Sequence, residues 1–168
     1  LIKYDLEADV GLLSIETETP VKSALLQTLE QNVQVGNSVF SIGCGGGDDP
    51  TVQKLSVTAL NRYLGPDNVE CTGVPVQGRS GGGLFNADGE VIGVCIAADP
   101  KDKRGLYAGL KPIYQLLAKA ELIEMARDIE QTTKNQSNDA ALTPDDDSGD
   151  HVDEGVVDAA FESATPLD

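Results

Sequence analysis

The sequence predicts an all-β fold, a barrel or a sandwich of short strands, followed by one C-terminal helix and a disordered acidic tail. Three observations support this fold class. Short apolar runs alternate with turns rich in Gly, Pro, Asn and Asp, which is typical of proteins with many short strands. After residue 110 the apolar residues repeat at helical spacing. From residue 131 onward large apolar side chains almost disappear.

The first segment, residues 1–20, is predicted to hold one strand over residues 10–15. Charged residues flank this strand, and the sequence ETETP follows it. Residues 21–34 are polar with scattered Leu and Val, which fits either a connector between two barrels or an irregular insertion.

Residues 35–110 are predicted to form the main barrel. Turns such as GGGDDP and GPDN divide this segment into short apolar runs, each of strand length. The six expected strands are 38–42, 53–64, 69–71, 83–85, 91–98 and 106–109.

The C-terminal part changes character twice. Residues 111–134 are predicted to form a helix, because apolar residues recur there every three or four positions and Pro112 suits a first helical turn. Residues 135–168 are predicted to be disordered, since they contain too few apolar side chains to offset the entropy of ordering.

Charge and length exclude several classes of protein. The 168 residues carry a formal net charge of −16, and the acidic tail holds no Lys or Arg, so a nucleic-acid partner is not expected. The longest apolar run, 91–98, is too short to span a bilayer, and we expect neither a transmembrane helix nor a signal peptide in this chain. Because Leu1 rather than Met opens the sequence, we expect a fragment or a processed product.

The three cysteines predict neither a disulfide framework nor a metal site. Cys44, Cys71 and Cys95 lack metal-ligand spacing, and the acidic tail does not match a calcium loop. Cys95 lies in an apolar run and is predicted to be buried. A bridge such as Cys44 to Cys71 could form in an oxidising compartment. No metal or other cofactor is therefore expected.

One stretch, residues 78–85 (GRSGGGLF), carries the strongest chemical signal. A lone serine among four glycines indicates a tight turn that exposes a hydroxyl and directs neighbouring N–H groups into one small space. That arrangement suits a nucleophile beside an oxyanion hole. The GxSxG pattern also occurs in the α/β-hydrolase elbow, but a helix must follow the serine there. Here the sequence predicts strand, tight turn and strand through residue 97.

Four segments together resemble trypsin-like peptidases of the HtrA group. Residues 78–94 resemble that family's G-N-S-G-G-P-L segment and the hairpin after it. Residues 9–15 resemble its D-[LI]-A-[VL]-L strand, 35–43 its G-[DE]-x-V-x-x-I-G strand, and 105–110 its closing G-x-x-[FY]-A-I-P. The resemblance implies a trypsin-like double β-barrel of which mainly the second barrel is present.

The resemblance also assigns catalytic roles. Ser80 would be the nucleophile, Asp9 would orient a catalytic histidine, and the N–H groups of Gly78 and Ser80 would form the oxyanion hole. The structural alternatives are an ordinary turn serine and, for Asp9, one carboxylate in a charged run with Asp5 and Glu7.

The histidine of such a triad is missing from the expected place. In this fold the order along the chain is histidine, aspartate, serine, so the histidine should precede Asp9. The chain's single histidine, His151, lies in the acidic tail after Ser80. We therefore expect the 168 residues alone to be a very poor hydrolase, whether because the sequence is truncated or because the protein is an inactive homologue.

Two residues depart from the family pattern beside the serine. Arg79 replaces Asn or Asp, and Gly83 replaces Pro. In zymogen-activated relatives an Asp at the first position pairs with a freed N-terminus, which Arg79 cannot do. Both changes could alter the rigidity of the loop.

Substrate-binding residues follow from the same resemblance. Val74 corresponds to the base of the primary pocket, which predicts small or aliphatic substrate side chains rather than Lys or Arg. Ile96, Ala97 and Ala98 correspond to the strand that pairs with the substrate backbone, although core packing explains Ile96 nearly as well.

The sequence thus predicts a serine endopeptidase acting on polypeptides, and family habit implies the cell envelope or periplasm as its location. A homo-oligomer is left open. The alternative from another class is a catalytically inactive protease-fold module that binds protein segments.

Overall fold

The computed structural model describes residues 1–126, which contain eight strands, one helix of 10 residues and a short helical stretch at 123–126. Two strands form a hairpin, β1 (Lys3–Asp5) and β2 (Val10–Leu12). The other six are β3 (Ser38–Gly43), β4 (Thr51–Leu60), β5 (Asn68–Thr72), β6 (Gly83–Phe85), β7 (Val91–Asp99) and β8 (Arg104–Ala108). Helix α1 spans Leu110–Lys119.

The six later strands close into an antiparallel barrel. Their order around the barrel is β3-β4-β5-β8-β7-β6, and β6 returns to pair with β3 so that Phe40 faces Phe85. Closure gives each strand two neighbours along at least part of its length, so no strand is a full edge strand. The predicted all-β fold class is confirmed, and its six expected barrel strands are all present.

Every barrel strand contributes to one buried core. The members are Val39, Val57, Val69, Cys71, Leu84, Ile92, Cys95 and Tyr107, each at most 4% exposed. Burial raises the pKa values of the Cys71 thiol and the Tyr107 hydroxyl, each to about 12. Both groups therefore remain protonated at neutral pH.

All three cysteines are free thiols. Cys71 and Cys95 are buried in the barrel core, as expected for Cys95, while Cys44 is half-buried after β3. The Cys44 to Cys71 bridge that the sequence left open is absent.

A second apolar cluster attaches the hairpin to the barrel. Ala8 and Val10 pack against Ala108 of β8 and Leu116 of α1. Polar contacts reinforce this attachment, because Lys119 Nζ lies 3.2 Å from the Asp5 carboxylate. The hairpin is thus held by the helix as well as by the barrel.

Residues 21–34 form no regular strand, but part of this segment pairs with the start of β7. Leu26 makes an isolated parallel bridge to Val91, and the Val91 N–H donates to the Leu25 carbonyl at 2.7 Å. The Tyr114 hydroxyl of α1 donates to the Gln27 carbonyl at 3.2 Å. This segment therefore runs between the barrel and the helix.

Two predicted strands run three or more residues past the observed ends. β2 ends at Leu12 rather than at residue 15, and β4 spans Thr51–Leu60 rather than 53–64. β4 ends because Asn61 takes a positive φ of 51° and exchanges two hydrogen bonds with Asn68, at 2.8 and 3.0 Å. Asn tolerates this left-handed conformation better than most residues, which allows the chain to turn there.

The C-terminal helix is also shorter than the predicted 111–134. After Lys119 the chain turns at Glu121, where φ is +61°, and the Leu122 N–H donates to the Leu117 carbonyl at 2.9 Å. This is a Schellman arrangement without its usual glycine. Residues 123–126 are helical again, and the remainder of the predicted helix and the tail 135–168 lie outside the described residues. Across residues 1–126 the structure has no helix long and apolar enough to cross a membrane.

Candidate functional site

Ser80 lies on an exposed loop between β5 and β6. Three glycines give this loop its turns, with φ values of +86° at Gly73, +99° at Gly78 and +83° at Gly81. A side chain at any of these positions would be strained, since left-handed backbone is disfavoured for L-residues. The glycines therefore permit a path on which Ser80 faces the solvent.

The end of this loop is fixed on β7. The Gly81 N–H donates to the Cys95 carbonyl at 2.8 Å, and the Cys95 N–H donates to the Gly82 carbonyl at 2.8 Å. The Gly82 N–H closes a turn onto the Arg79 carbonyl at 2.9 Å. The position of Ser80 is thus fixed by the hydrogen bonds of the two glycines that follow it.

The N–H groups of Gly78 and Ser80 are not used inside the loop. Between them, the Arg79 N–H donates to the Val76 carbonyl at 3.2 Å. Among the described residues no hydrogen bond uses the N–H of Gly78 or of Ser80, and both residues are exposed. These two backbone N–H groups are therefore free to donate to an external oxygen.

Close packing explains two of the glycines. A methyl group on Gly78 would lie 2.9 Å from the Gly46 nitrogen, and one on Gly82 would lie 2.5 Å from the Ile42 carbonyl oxygen. Both obstacles are backbone atoms that cannot swing aside. The loop that carries Ser80 can lie on the end of β3 only because these positions carry no side chain.

The segment after Ser80 is strand, turn and strand. β6 begins at Gly83, and the Asn86 carboxamide oxygen accepts hydrogen bonds from the N–H groups of Asp88 and Glu90 at 3.0 and 2.9 Å. This geometry excludes the α/β-hydrolase elbow, which requires a helix at this point.

The two nearby carboxylates of the hairpin turn have different environments. The Asp5 carboxylate accepts hydrogen bonds from the N–H groups of Glu7 and Ala8 at 3.1 and 3.2 Å. The bond from Ala8, followed by contact with Lys119, lowers the pKa of Asp5. The Asp9 carboxylate has no hydrogen bond or ion pair within residues 1–126, and its residue is exposed with φ of +54°. Asp5 therefore stabilises the turn, while Asp9 is free.

Asp9 and Ser80 line one cavity of about 550 Å³. Its remaining walls are mostly apolar and come from the hairpin, the serine loop, β7 and α1: Val10, Gly11, Leu12, Leu13, Gly81, Val94, Cys95, Ile113 and Leu116. The fold thus brings together two residues that are far apart in the sequence, and it leaves open space between them.

Arg79 is buried beneath the loop, only 2% exposed. Its Nη1 donates to the Gly43 carbonyl at 3.0 Å and to Thr51 Oγ1 at 2.8 Å. Its Nη2 donates to the carbonyls of Ser41 at 2.8 Å and Thr51 at 3.1 Å, with Ser41 Oγ at 3.5 Å. Its charge also reaches Cys95, since burial raises the pKa of that thiol and Arg79 acts in the opposite direction.

The expected substrate-binding strand is only partly paired. Pairing between β6 and β7 ends at Val94, so residues 96–99 have one open edge within the part of the chain described here. Ala97 and Ala98 are exposed, whereas Ile96 occupies a bulge and packs on the second apolar cluster. The core-packing alternative for the Ile96 side chain therefore agrees with its contacts.

Val74 lies on the exposed loop after β5, away from the cavity shared by Asp9 and Ser80. The next residue, Pro75, packs closely on β8, because a methyl group on Gly105 would meet Pro75 Cγ at 2.9 Å. Gly105 is in turn the β8 partner of Ala98. The Val74 loop and the open part of β7 therefore belong to the same region of the barrel.

The described residues include no histidine, and His151 lies outside them. They also contain no group of three His, Cys, Asp or Glu residues arranged to hold a metal ion. Of the three residues that the sequence analysis expected in a triad, residues 1–126 contain Asp9 and Ser80 but no histidine.

Two bacterial proteins are each similar to about half of this chain. It is 39% identical over 99 residues to a probable periplasmic serine endoprotease, DegP-like, of Pseudomonas fluorescens, covering 56% of this chain and 20% of that protein. It is 30% identical over 94 residues to the anti-sigma-I factor RsgI9 of Acetivibrio thermocellus, covering 56% of this chain and 13% of that protein. The chain therefore spans a fifth or less of the length of these two relatives.

A solved structure shows the same fold at lower identity. The active form of the protease Rv3671c from M. tuberculosis superposes with a TM-score of 0.56 and 22% identity, over 61% of this chain and 50% of that one. The family model named trypsin-like peptidase domain matches residues 1–94, more than half of the 168 residues. The chain therefore belongs to the trypsin-like peptidase domain family.

Proposed function

We propose that this chain is the part of a serine endopeptidase that carries the nucleophile and the orienting aspartate. One observation carries the proposal: Ser80 and Asp9 face one cavity of about 550 Å³, beside the unused N–H groups of Gly78 and Ser80. An activated serine needs a base, a group that orients the base, and donors for the oxyanion. This region offers positions for all three.

The proposed reaction is acyl transfer to Ser80. Its Oγ attacks the peptide carbonyl carbon while an imidazole, oriented by Asp9, accepts the hydroxyl proton. The N–H groups of Gly78 and Ser80 donate to the negatively charged oxygen that develops, where loss of one such donor typically costs about a hundredfold or more in kcat. The imidazolium then protonates the leaving amine, and water releases the acyl group.

The imidazole is proposed to come from a histidine that precedes Asp9 in the natural protein. The chain order of this fold supports that position, and the open cavity has room for the ring. His151 follows Ser80 and is not assigned this role. It follows that the 168 residues alone should hydrolyse peptides very poorly.

The substrate is proposed to be an extended polypeptide that adds as a strand to the open edge of β7. Ile96, Ala97 and Ala98 would pair with its backbone, a recognition mode that uses free main-chain groups. Val74 would form the base of the side-chain pocket. With no carboxylate at that position, small or aliphatic side chains are favoured over Lys and Arg.

We place this activity in the cell envelope, outside the cytoplasm. The support comes from the DegP-like relative, whose name describes it as periplasmic. Polypeptides are the proposed partners.

A second candidate is an inactive protease-fold module that binds protein segments. The missing general base among residues 1–126 favours it, and so does the similar segment in an anti-sigma factor. Such a module would keep the open edge of β7 but would not activate Ser80.

Covalent labelling of the natural protein, expressed at the full length of its reading frame, separates the two candidates. We expect a fluorophosphonate probe to label Ser80, as shown by peptide mass mapping, and Ser80→Ala to abolish labelling. Asp9→Asn should slow it strongly, while Asp5→Asn, which changes the neighbouring turn carboxylate, should slow it much less.

The 168-residue chain provides the matched control, because it lacks the proposed histidine and should stay unlabelled. A folded full-length protein that is not labelled at Ser80 would exclude the endopeptidase and favour the binding module. Labelling of the 168-residue chain at the full-length rate would contradict the proposed source of the base.

A further inference from the structure

We propose that Arg79 is the positioning residue of this site. Its side-chain hydrogen bonds to β3 and β4, the Arg79 tether, hold the loop around Ser80 in the conformation that the reaction needs, with no separate activation step. The inference rests on the proposed role of Ser80. Arg79 lies between the two proposed oxyanion donors, Gly78 and Ser80, so any shift of its backbone moves both.

The tether is matched to the shape of a guanidinium. Four Nη N–H groups meet four oxygens, from Ser41, Gly43 and twice from Thr51, at 2.8 to 3.1 Å. These acceptors lie on two different strands, and a rigid planar fork reaches them together. The ammonium of a lysine has three donors on one nitrogen and cannot reproduce this pattern.

The acceptors are all neutral. No carboxylate lies within ion-pair distance of Arg79 among residues 1–126, and its Nε has no partner there. Burying a cation without a counterion costs free energy, so a role in stability alone does not explain why Arg79 is buried. Bonds from a charged donor to carbonyls are nevertheless strong and directional, which suits the positioning of a loop.

The tether and the glycine contacts act on the same stretch of backbone. Gly82 lies so close to β3 that a methyl group there would meet the carbonyl oxygens of Ile42 and Arg79 at 2.5 and 2.9 Å. Arg79 fixes the loop before the serine, and the bonds of Gly81 and Gly82 to Cys95 fix it after the serine. Ser80 is thus held on both sides by bonds to the barrel.

The test compares Arg79→Lys and Thr51→Val with the control Arg62→Lys in the full-length protein. Arg62 is an exposed arginine whose ion pair to Glu70 lies outside the site. We expect Arg79→Lys to lower the fluorophosphonate labelling rate and kcat for a peptide ester by about tenfold or more, with KM nearly unchanged. Thr51→Val removes one acceptor and should lower the labelling rate about threefold. The control should match the wild type.

Chemical rescue separates positioning from simple destabilisation. In Arg79→Ala, added ethylguanidinium should restore part of the labelling rate, whereas ethylammonium should not, with circular dichroism unchanged by either compound. A folded Arg79→Lys protein that is labelled at the wild-type rate would overturn the proposal. If Arg79→Lys does not fold, an unchanged labelling rate in Thr51→Val overturns it instead.

Amide hydrogen exchange keeps this inference distinct from the proposed function. Peptides covering residues 76–84 should exchange faster in Arg79→Lys than in wild type, while the control variant should not change them. If wild-type Ser80 is not labelled, the endopeptidase proposal is rejected. The exchange rates of residues 76–84 still show whether Arg79 holds the loop. Equal exchange over 76–84 in wild type and Arg79→Lys would rule the tether out.

Discussion

The two parts of the proposed site differ in how well the structure around them is packed: Ser80 belongs to the barrel and Asp9 to the hairpin. Ser80 projects from a closed barrel in which every strand contributes a buried side chain. Asp9 follows the turn of a two-stranded hairpin that leaves Leu1, Leu6 and Ile15 75%, 83% and 75% exposed. A two-stranded hairpin alone is marginally stable in water. The serine side of the site is therefore self-supporting, and the aspartate side depends on its neighbours.

Those neighbours are few and can be named. Val10 and Ala8 pack on Ala108 and on Leu116 of α1, and Lys119 pairs with Asp5. The helix thus determines where Asp9 lies relative to Ser80. We therefore predict that substitutions in the barrel core destabilise the whole domain. Substitutions in α1 should displace the hairpin first.

The largest effect is expected from Leu84→Ala. Leu84 is 0% exposed and its truncation leaves a cavity in the barrel core, so the free energy of unfolding should fall by about 2–5 kcal/mol. The matched change Leu6→Ala removes a side chain that is 83% exposed and should stay within about 0.5 kcal/mol of wild type. Urea unfolding followed by circular dichroism measures both. Equal losses for the two variants would show that the hairpin is as well packed as the barrel.

A smaller and more local effect is expected from Leu116→Ala. This residue is 3% exposed and covers the hairpin, so its loss should free residues 1–15 before it opens the barrel. Hydrogen exchange should accelerate over 1–15 while residues 68–72 keep their wild-type protection. The labelling rate of Ser80 should fall as well, since Asp9 is no longer held. Uniform acceleration across the barrel would contradict a separate response of the hairpin.

The smallest effect concerns the pH dependence of the hairpin turn. The Ala8 N–H bond and Lys119 lower the pKa of Asp5 below its ordinary value of 3.8. A carboxylate with a depressed folded pKa stabilises the fold fully above its unfolded pKa, and this stabilisation is lost as the pH falls through the folded value. The protection of the Ala8 amide, relative to its intrinsic exchange rate at each pH, should therefore fall only below about pH 4. Asp5→Asn should remove this pH dependence, and its persistence would assign the transition to another group.

Much of the fold was predictable because its signals are local. Alternating apolar residues and glycine-containing turns indicate strands and hairpins directly, and the β6–β7 hairpin follows from the turn sequence NADG. Two of the errors fall where a residue other than glycine adopts a left-handed conformation. Asn61 ends β4 and Glu121 ends α1 in this way, and neither residue type marks a chain break reliably.

The serine loop shows where local sequence stops being informative. GRSGGG predicts a glycine-dependent turn with an exposed hydroxyl, since both depend on the backbone freedom of residues within the segment. The burial of Arg79 could not be predicted from it. Its acceptors belong to Ser41, Gly43 and Thr51, and only closure of the barrel brings them under the loop.

The same division holds for the whole molecule. The sequence was sufficient for the strand pattern, the family and the candidate pair Ser80 and Asp9, because each depends on residue types and on spacing along the chain. That the Asp9 carboxylate is free and the Asp5 carboxylate is not can be seen only in the folded hairpin, where Asp5 accepts hydrogen bonds from N–H groups of the turn. The shared cavity and the Arg79 tether depend on long-range packing, which no short stretch of sequence encodes.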